Sequence, residues 1–457
     1  MIDLKGKEVC VIGLGVSGFA ACELLLAQKA KLKISEINDS PRIRDKLNVL
    51  DKKEINCEIG KHSENFILSC DLLVVSPGVR FDLPVLQKAK RKKIPIISEI
   101  ELASWFCPSK IIAVTGTNGK TTTVKLITHL LKEKFNVYAG GNLDMPFEVP
   151  FSSFVRKLSA EDITVLELSS FQLKNTLYFK PYISLVLNIT ADHLNRHKDM
   201  RDYVNSKMKI FSNQKRADFA VVNAHDQNIM KEKNRINSQF YCFSLSKPIL
   251  QGAYISGEDI IFSKEGISET ICKRDVFSLP GGHNSENCLA AVTSAKILGL
   301  NKFQIRNRLK TFKNVEHRLE KVGEIKGIEF INDSKSTNAA CLEKALIAIP
   351  SPILLILGGL DKGNDYSRVK KLVKEKVKSI FTIGESREKI ENAFKNIIPV
   401  FICETLEGAA KRALTQAGQG DKILLSPACA SFDMFKDYKD RGRQFKGIFS
   451  KIKKEHE

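Results

Sequence analysis

The chain has 457 residues, 43% apolar and 27% charged, a composition that suits a globular protein of several domains. No apolar run reaches the roughly 18 residues that a membrane-spanning helix needs, and the N-terminus enters a strand pattern without an apolar leader, so no membrane insertion is expected. Eleven scattered cysteines, none spaced as CxxC, exclude zinc and redox motifs and point to a reducing, cytoplasmic compartment, while a net charge of +20 raises the question of nucleic acid. The lysines are spread along the chain and aromatics do not interleave with them, so the basic surface is read as suited to small polyanions; no nucleic acid partner is expected.

Glu8 to Ile12 reads as a strand, followed by Gly13-Leu14-Gly15-Val16-Ser17-Gly18, a helical run to about Gln28 and a second strand ending near Glu36. This is the context of a dinucleotide fold, with Glu36 placed to meet a ribose hydroxyl. The same turn could hold NAD or another nucleotide such as a uridine diphosphate, and the motif does not choose. Asp71 to Ser76 forms a further strand ending in Ser76-Pro77-Gly78, a loop at the edge where open α/β sheets bind ligands.

A second α/β unit begins near Glu99. Its centre is IIAVTGTNGKTTT, Ile111 to Thr123: a buried strand, a turn built on Gly116 and Gly119, and a helix from Lys120 onward. Backbone N–H groups from Thr117 and Asn118 through Thr122, with the positive end of the helix dipole, suit a triphosphate. Lys120 would lie near the outer phosphates and Thr121 on Mg2+. The general phosphate-loop pattern wants glycine where Val114 stands. Gly140-Gly141-Asn142 reads as a loop. Ile163 to Leu168 is a strand with one acid, Glu167, the usual kind of Mg2+ partner in such a fold. Tyr182 to Ile189 is a third strand, with Asp192 and His193 just beyond. Asp199 to Ser212 reads as a helix whose lysines, Lys207 and Lys209, most often face solvent. Asn284 and Asn287 open a helix from Ser285 to Leu298 and could meet a base or cap the helix.

Strand, polar loop and helix alternate again in the last 140 or so residues, predicting a third α/β domain. Asp333, Lys335, Lys362 and Ser431 lie on its loops and would gather at the carboxyl edge of its sheet.

Taken together, these motifs resemble the Mur ligases over nearly the whole length of the chain. TGTNGKTT and the H-N-x-x-N run are general to the superfamily; LELSSFQL, NDSKSTN and SPACASFD are specific to the branch that adds D-glutamate. The resemblance implies an α/β, three-domain Mur ligase architecture: a Rossmann-like domain at 1–98 for the UDP substrate, a P-loop ATPase-like domain at 99–314 for ATP and Mg2+, and a Rossmann-like domain at 315–457 for the amino acid. It turns the first glycine motif towards UDP, with Val16, Ser17, Glu36, Ser76 and Gly78 around uridine and diphosphate and Asn142 near the substrate. Glu167 and His193 match metal-binding positions, and Lys207 matches a lysine that CO2 converts to a carbamate. Asn284, Asn287, His317, Arg318, Asp333 and Lys335 match ATP-contacting positions, and Thr337, Lys362, Ser431, Phe432 and Tyr438 the D-glutamate region. Asp144, Phe432, Tyr438 and Ile37 depart from the family's commonest pattern. The implied reaction passes a phosphoryl group from ATP to the carboxylate of UDP-N-acetylmuramoyl-L-alanine, and the amine of D-glutamate attacks the acyl phosphate. A cytoplasmic monomer that closes on its substrates is expected.

Overall fold

The computed structural model describes residues 3–50, 55–80, 82–143, 149–192, 196–277, 279, 281–312, 316–361 and 363–456. The chain forms two compact units, Met1–Ser278 with His283–Phe312, and Leu279–Gly282 with Lys313–Glu457. The first unit carries two sheets and the second carries one.

The first sheet is built from β1 Glu8–Ile12, β2 Lys31–Glu36, β3 Asn56–Ile59, β4 Leu72–Val75 and β5 Ile96–Ser98, in the order β3-β2-β1-β4-β5 and parallel throughout. Val9 to Ile12 and Leu72 to Val75 are buried on both faces, as the apolar runs of a parallel sheet require. Loops after β1 and β4 therefore meet at one carboxyl edge.

The second sheet has the order β14-β13-β12-β11-β10-β9-β6-β8-β7. Its strands are β6 Lys110–Thr115, β7 Val137–Gly141, β8 Ile163–Glu167, β9 Ile183–Val186, β10 Phe219–Asn223, β11 Gln239–Ser244, β12 Gly252–Ser256, β13 Asp259–Lys264 and β14 Ile267–Lys273. The strands expected from sequence to carry the phosphate loop, Glu167 and Asp192 are parallel neighbours, with Val114 opposite Glu167 and Thr115 opposite Val186. The antiparallel extension β12–β14 has no counterpart in the sequence reading. One apolar cluster runs from Val9, Val11 and Leu24 through Phe151 and Phe154 to Tyr203, so the two sheets share a core. Glu101 reinforces it, its buried carboxylate accepting from the N–H groups of Leu177, Tyr178 and Phe179 at 2.9, 2.8 and 2.9 Å.

In the second unit, β15 Glu320–Ile325, β16 Ile328–Asn332, β17 Ile353–Gly358, β18 Val377–Ile383, β19 Val400–Ile402 and β20 Lys422–Leu425 form a sheet ordered β15-β16-β20-β17-β18-β19. Only β15 runs antiparallel to its neighbour among these described strands. The pairing of β20 between β16 and β17 brings the loops NDSKST and SPACAS side by side.

Candidate active site

The phosphate loop hangs between β6 and the helix Lys120–Leu131. Gly119 takes φ +85°, and a Cβ there would stand 2.3 Å from Asn287 Oδ1, so both backbone and space demand glycine. Asn188, just past β9, templates the loop: its carbonyl accepts Thr117 N–H at 2.8 Å, its Oδ1 accepts Asn118 N–H at 2.8 Å, and its Nδ2 donates to Asn118 O at 3.1 Å. Lys120 arches back and donates to the carbonyls of Gly116 and Thr117 at 3.0 and 3.1 Å. Thr122 is buried in the first turn of the helix.

Thr121 Oγ1 donates to Glu167 Oε2 at 2.7 Å, and Asn142 Nδ2 lies 3.5 Å from Glu167 Oε1. Helix periodicity alone leaves Lys207 on a solvated face, whereas the resemblance matches it to a site lysine; the structure buries it beside the phosphate loop. Lys207, on the helix Met200–Met208, is 2% exposed, donates to Gly116 O at 2.9 Å and lies over the Tyr203 ring at 4.7 Å. Burial and the nearby Lys120 ammonium push its amine well below the ordinary lysine pKa, against the pull of Asp192 and Glu167. A neutral amine is the form that can add CO2. Tyr203 reaches Thr117 Oγ1 at 3.2 Å. Asn284 lies inside the helix Gly282–Ile297 rather than capping it, and Asn287 accepts from Thr123 Oγ1 at 3.2 Å, beneath the loop. His193, Lys362 and Asp144 fall outside the described residues.

Two residues missed in the sequence brace the LELSSFQL segment. His197 is buried, with Nε2 at 2.9 Å from Ser170 Oγ, Nδ1 at 3.1 Å from Asp202 Oδ2, and its ring stacked on Phe171. Arg196 lies 4.0 Å from the centre of the same Phe171 ring and donates to the carbonyls of Pro77 and Val79 at 3.1 and 3.2 Å. It thereby ties the loop after β4 to the second sheet.

That loop borders a cavity of about 580 Å³ along the carboxyl edge of the first sheet, lined by Val16, Ser17, Glu36, Ser76 and Gly78 and, from the second sheet's side, Asn142 and Gln172. Gly18 is indispensable to its floor, since a Cβ would stand 1.9 Å from Gly13 O and 2.6 Å from Ser76 Oγ. Ser76 Oγ itself donates to Gly13 O at 2.6 Å. The Glu36 carboxylate accepts from the N–H groups of Leu14 and Asn38 at 2.6 and 2.8 Å, so it shapes the glycine turn as well as facing the cavity.

In the second unit, Asp333 is buried after β16, accepting from Ser426 Oγ at 2.9 Å and Leu319 N–H at 3.2 Å. Burial pushes its carboxyl up to about 7 although Arg318 and Arg441 oppose the rise. Lys335 sits over the Tyr438 ring at 5.1 Å, and its N–H donates to His317 O at 3.1 Å. Ser431 is buried, Thr337 half-buried, and Phe432 64% exposed. Arg441, also unforeseen, is wholly buried and donates to Ser334 O, Cys429 O and Ala430 O at 2.8, 3.1 and 3.4 Å, joining the two polar loops.

Three family profiles match this chain: a Mur ligase MurD-like N-terminal domain at residues 7–98, a Mur ligase middle domain at 114–295 and a Mur ligase glutamate ligase domain at 317–429. The chain belongs to the Mur ligase family. Among relatives, it is 42% identical to the UDP-N-acetylmuramoylalanine--D-glutamate ligase of Caldicellulosiruptor bescii and 41% identical to that of Koribacter versatilis, each match covering 99% of both chains. Solved structures share the fold at lower identity. The UDP-N-acetylmuramate-alanine ligase MurC of Thermotoga maritima matches with a TM-score of 0.59 at 18% identity, over 98% of this chain and 100% of that one. The MurF ligase of Thermotoga maritima in complex with ADP matches with a TM-score of 0.59 at 17% identity, over 100% of this chain and 97% of that one.

Proposed function

We propose that this chain ligates D-glutamate to UDP-N-acetylmuramoyl-L-alanine at the expense of ATP, giving ADP and phosphate, as a cytoplasmic monomer in peptidoglycan precursor synthesis. The observation that carries the reading is Asn142, which lines the cavity at the first sheet and also stands 3.5 Å from Glu167 beside the phosphate loop. A substrate whose UDP lies along the cavity would bring its far end, the carboxylate, to the triphosphate site. A carboxylate is a poor acyl donor because oxide is a poor leaving group; phosphorylation turns it into one that amines displace.

The residues have distinct parts in this scheme. Loop N–H groups and Lys120 hold the outer phosphates and offset charge that develops in transfer. The Thr121 hydroxyl and Glu167 carboxylate are oxygen donors that suit Mg2+, with His193 and a carbamate on Lys207 completing the set. Mg2+ usually takes only one or two protein carboxylates and keeps waters and substrate phosphate oxygens in its shell. When bound, Mg2+ would neutralise phosphate charge. Asn284, Asn287, Arg318, Asp333 and Lys335 would orient ATP. Thr337, Lys362, Ser431, Phe432 and Tyr438 would hold D-glutamate.

Phosphate release that depends on both UDP-N-acetylmuramoyl-L-alanine and D-glutamate tests the proposal. Lys120→Ala should abolish it while leaving the circular dichroism unchanged; a near wild-type rate would remove the phosphate loop from the chemistry.

A further inference from the structure

The cavity of the first sheet has two chemically different ends. One is the N-terminus of the helix Val16–Ala27, where Gly15, Val16 and Ser17 present backbone N–H groups suited to a diphosphate. The other lies beyond β2 and β3 and is lined by Ile37, Ile43 and His62. Ile37 lines that end, and its side chain can neither donate nor accept. Another group must therefore read the polar edge of a base at that end.

His62 has the required chemistry. Its Nδ1 is 2.7 Å from Ser35 Oγ, and Ser35 Oγ is 3.3 Å from the Lys61 carbonyl. A carbonyl only accepts, so the serine proton goes to Lys61 O. Both contacts are then satisfied together only if Nδ1 carries the imidazole proton and donates to Ser35 Oγ. Nε2 is left as a bare acceptor, with no hydrogen bond to any described residue. Burial holds the ring below the ordinary histidine pKa, against the pull of Glu36 and Glu58, so the neutral form prevails near pH 7.

We infer that His62 is a specificity-determining residue for the nucleotide, its Nε2 accepting the N3–H of uracil. This rests on the reading of the cavity as a UDP site. At N3 uracil offers an N–H, whereas cytosine has a bare acceptor there. Ser35, invisible to a ligand because it is buried, fixes the tautomer.

Titration calorimetry on the full chain can test this with UDP and N3-methyl-UDP. The wild type should favour UDP at least about fivefold, the worth of one neutral hydrogen bond. His62→Ala should bring that ratio close to one, and His62→Gln, which keeps an acceptor, should restore part of it. If His62→Ala weakens both ligands equally and the ratio survives, the imidazole merely props the loop, Glu36 becomes the acceptor, and the inference falls. Failure of the wild type to bind UDP would overturn the cavity reading itself, whereas UDP binding with an unaltered ratio overturns only the part given to His62.

Discussion

Replacing Asp333 by asparagine should make the protein relatively more stable as the pH rises. The carboxyl is buried between Leu319 N–H and Ser426 Oγ, and its pKa stands at about 7 rather than 3.8. The folded chain therefore holds a proton that the unfolded chain releases. The stabilisation this gives is complete below about pH 4, is lost as the pH climbs to 7, and falls no further beyond that. The gap corresponds to about 4 kcal/mol of lost stability by pH 8, of which roughly 2–3 kcal/mol falls between pH 5 and 8. Asparagine has no proton to lose, and its amide can donate to Ser426 Oγ while its oxygen still accepts from Leu319. Urea denaturation of both full-length proteins from pH 5 to 8, followed by circular dichroism, should show the variant gaining by that amount. A constant difference, or a wild type that gains on the variant as pH rises, would mean that Arg318 and Arg441 outweigh burial, and the reasoning would fail.

Other expectations follow from single contacts. Lys207→Ala should reduce ligation by about 10²-fold or more and be partly rescued by acetate; full activity without rescue would place Lys207 outside the metal site. Arg196→Ala removes both hydrogen bonds that Nη2 donates to the loop after β4, so KM for the UDP substrate should rise about tenfold with kcat little changed. A change confined to kcat would contradict the bracing role. Gly18→Ala should cost about 1–3 kcal/mol and abolish UDP binding in calorimetry, because its methyl group collides with the Gly13 carbonyl. Retention of ATP binding by the same variant would confirm that the damage stays at the first sheet.

The phosphate loop could be read from the chain because its chemistry is local: glycine, lysine and threonine within a few residues of an apolar strand. Glu167 was legible for the same reason, as the sole acid in a buried run. Lys207 was legible only through the family resemblance, because helix periodicity cannot reveal that this helix lies against the phosphate loop. Asn188, Arg196 and His197 sit in one polar stretch, NITADHLNRH, where nothing local separates a brace from a solvated loop; their partners are Asn118, Pro77 and Ser170, all distant in sequence. Arg441 lies in KDYKDRGRQ, which reads as a solvated helix face until two loops wrap its guanidinium. The strands β12 to β14, GAYIS, DIIFSK and ISETICK, carry no consistent alternation of apolar and polar residues by which they could be found.

The position of β20 has a consequence for how the second unit comes into being. Its neighbours β16 and β17 are synthesised well before Lys422 emerges from the ribosome, a delay on the order of ten seconds after Asn332 at ordinary elongation rates. Throughout that interval two strand edges face a gap that nothing yet made can fill, which is a template for mispairing with another nascent copy. A polypeptide cut short anywhere before β20 would keep both edges open for good, so premature termination there should yield aggregates rather than a smaller working lobe.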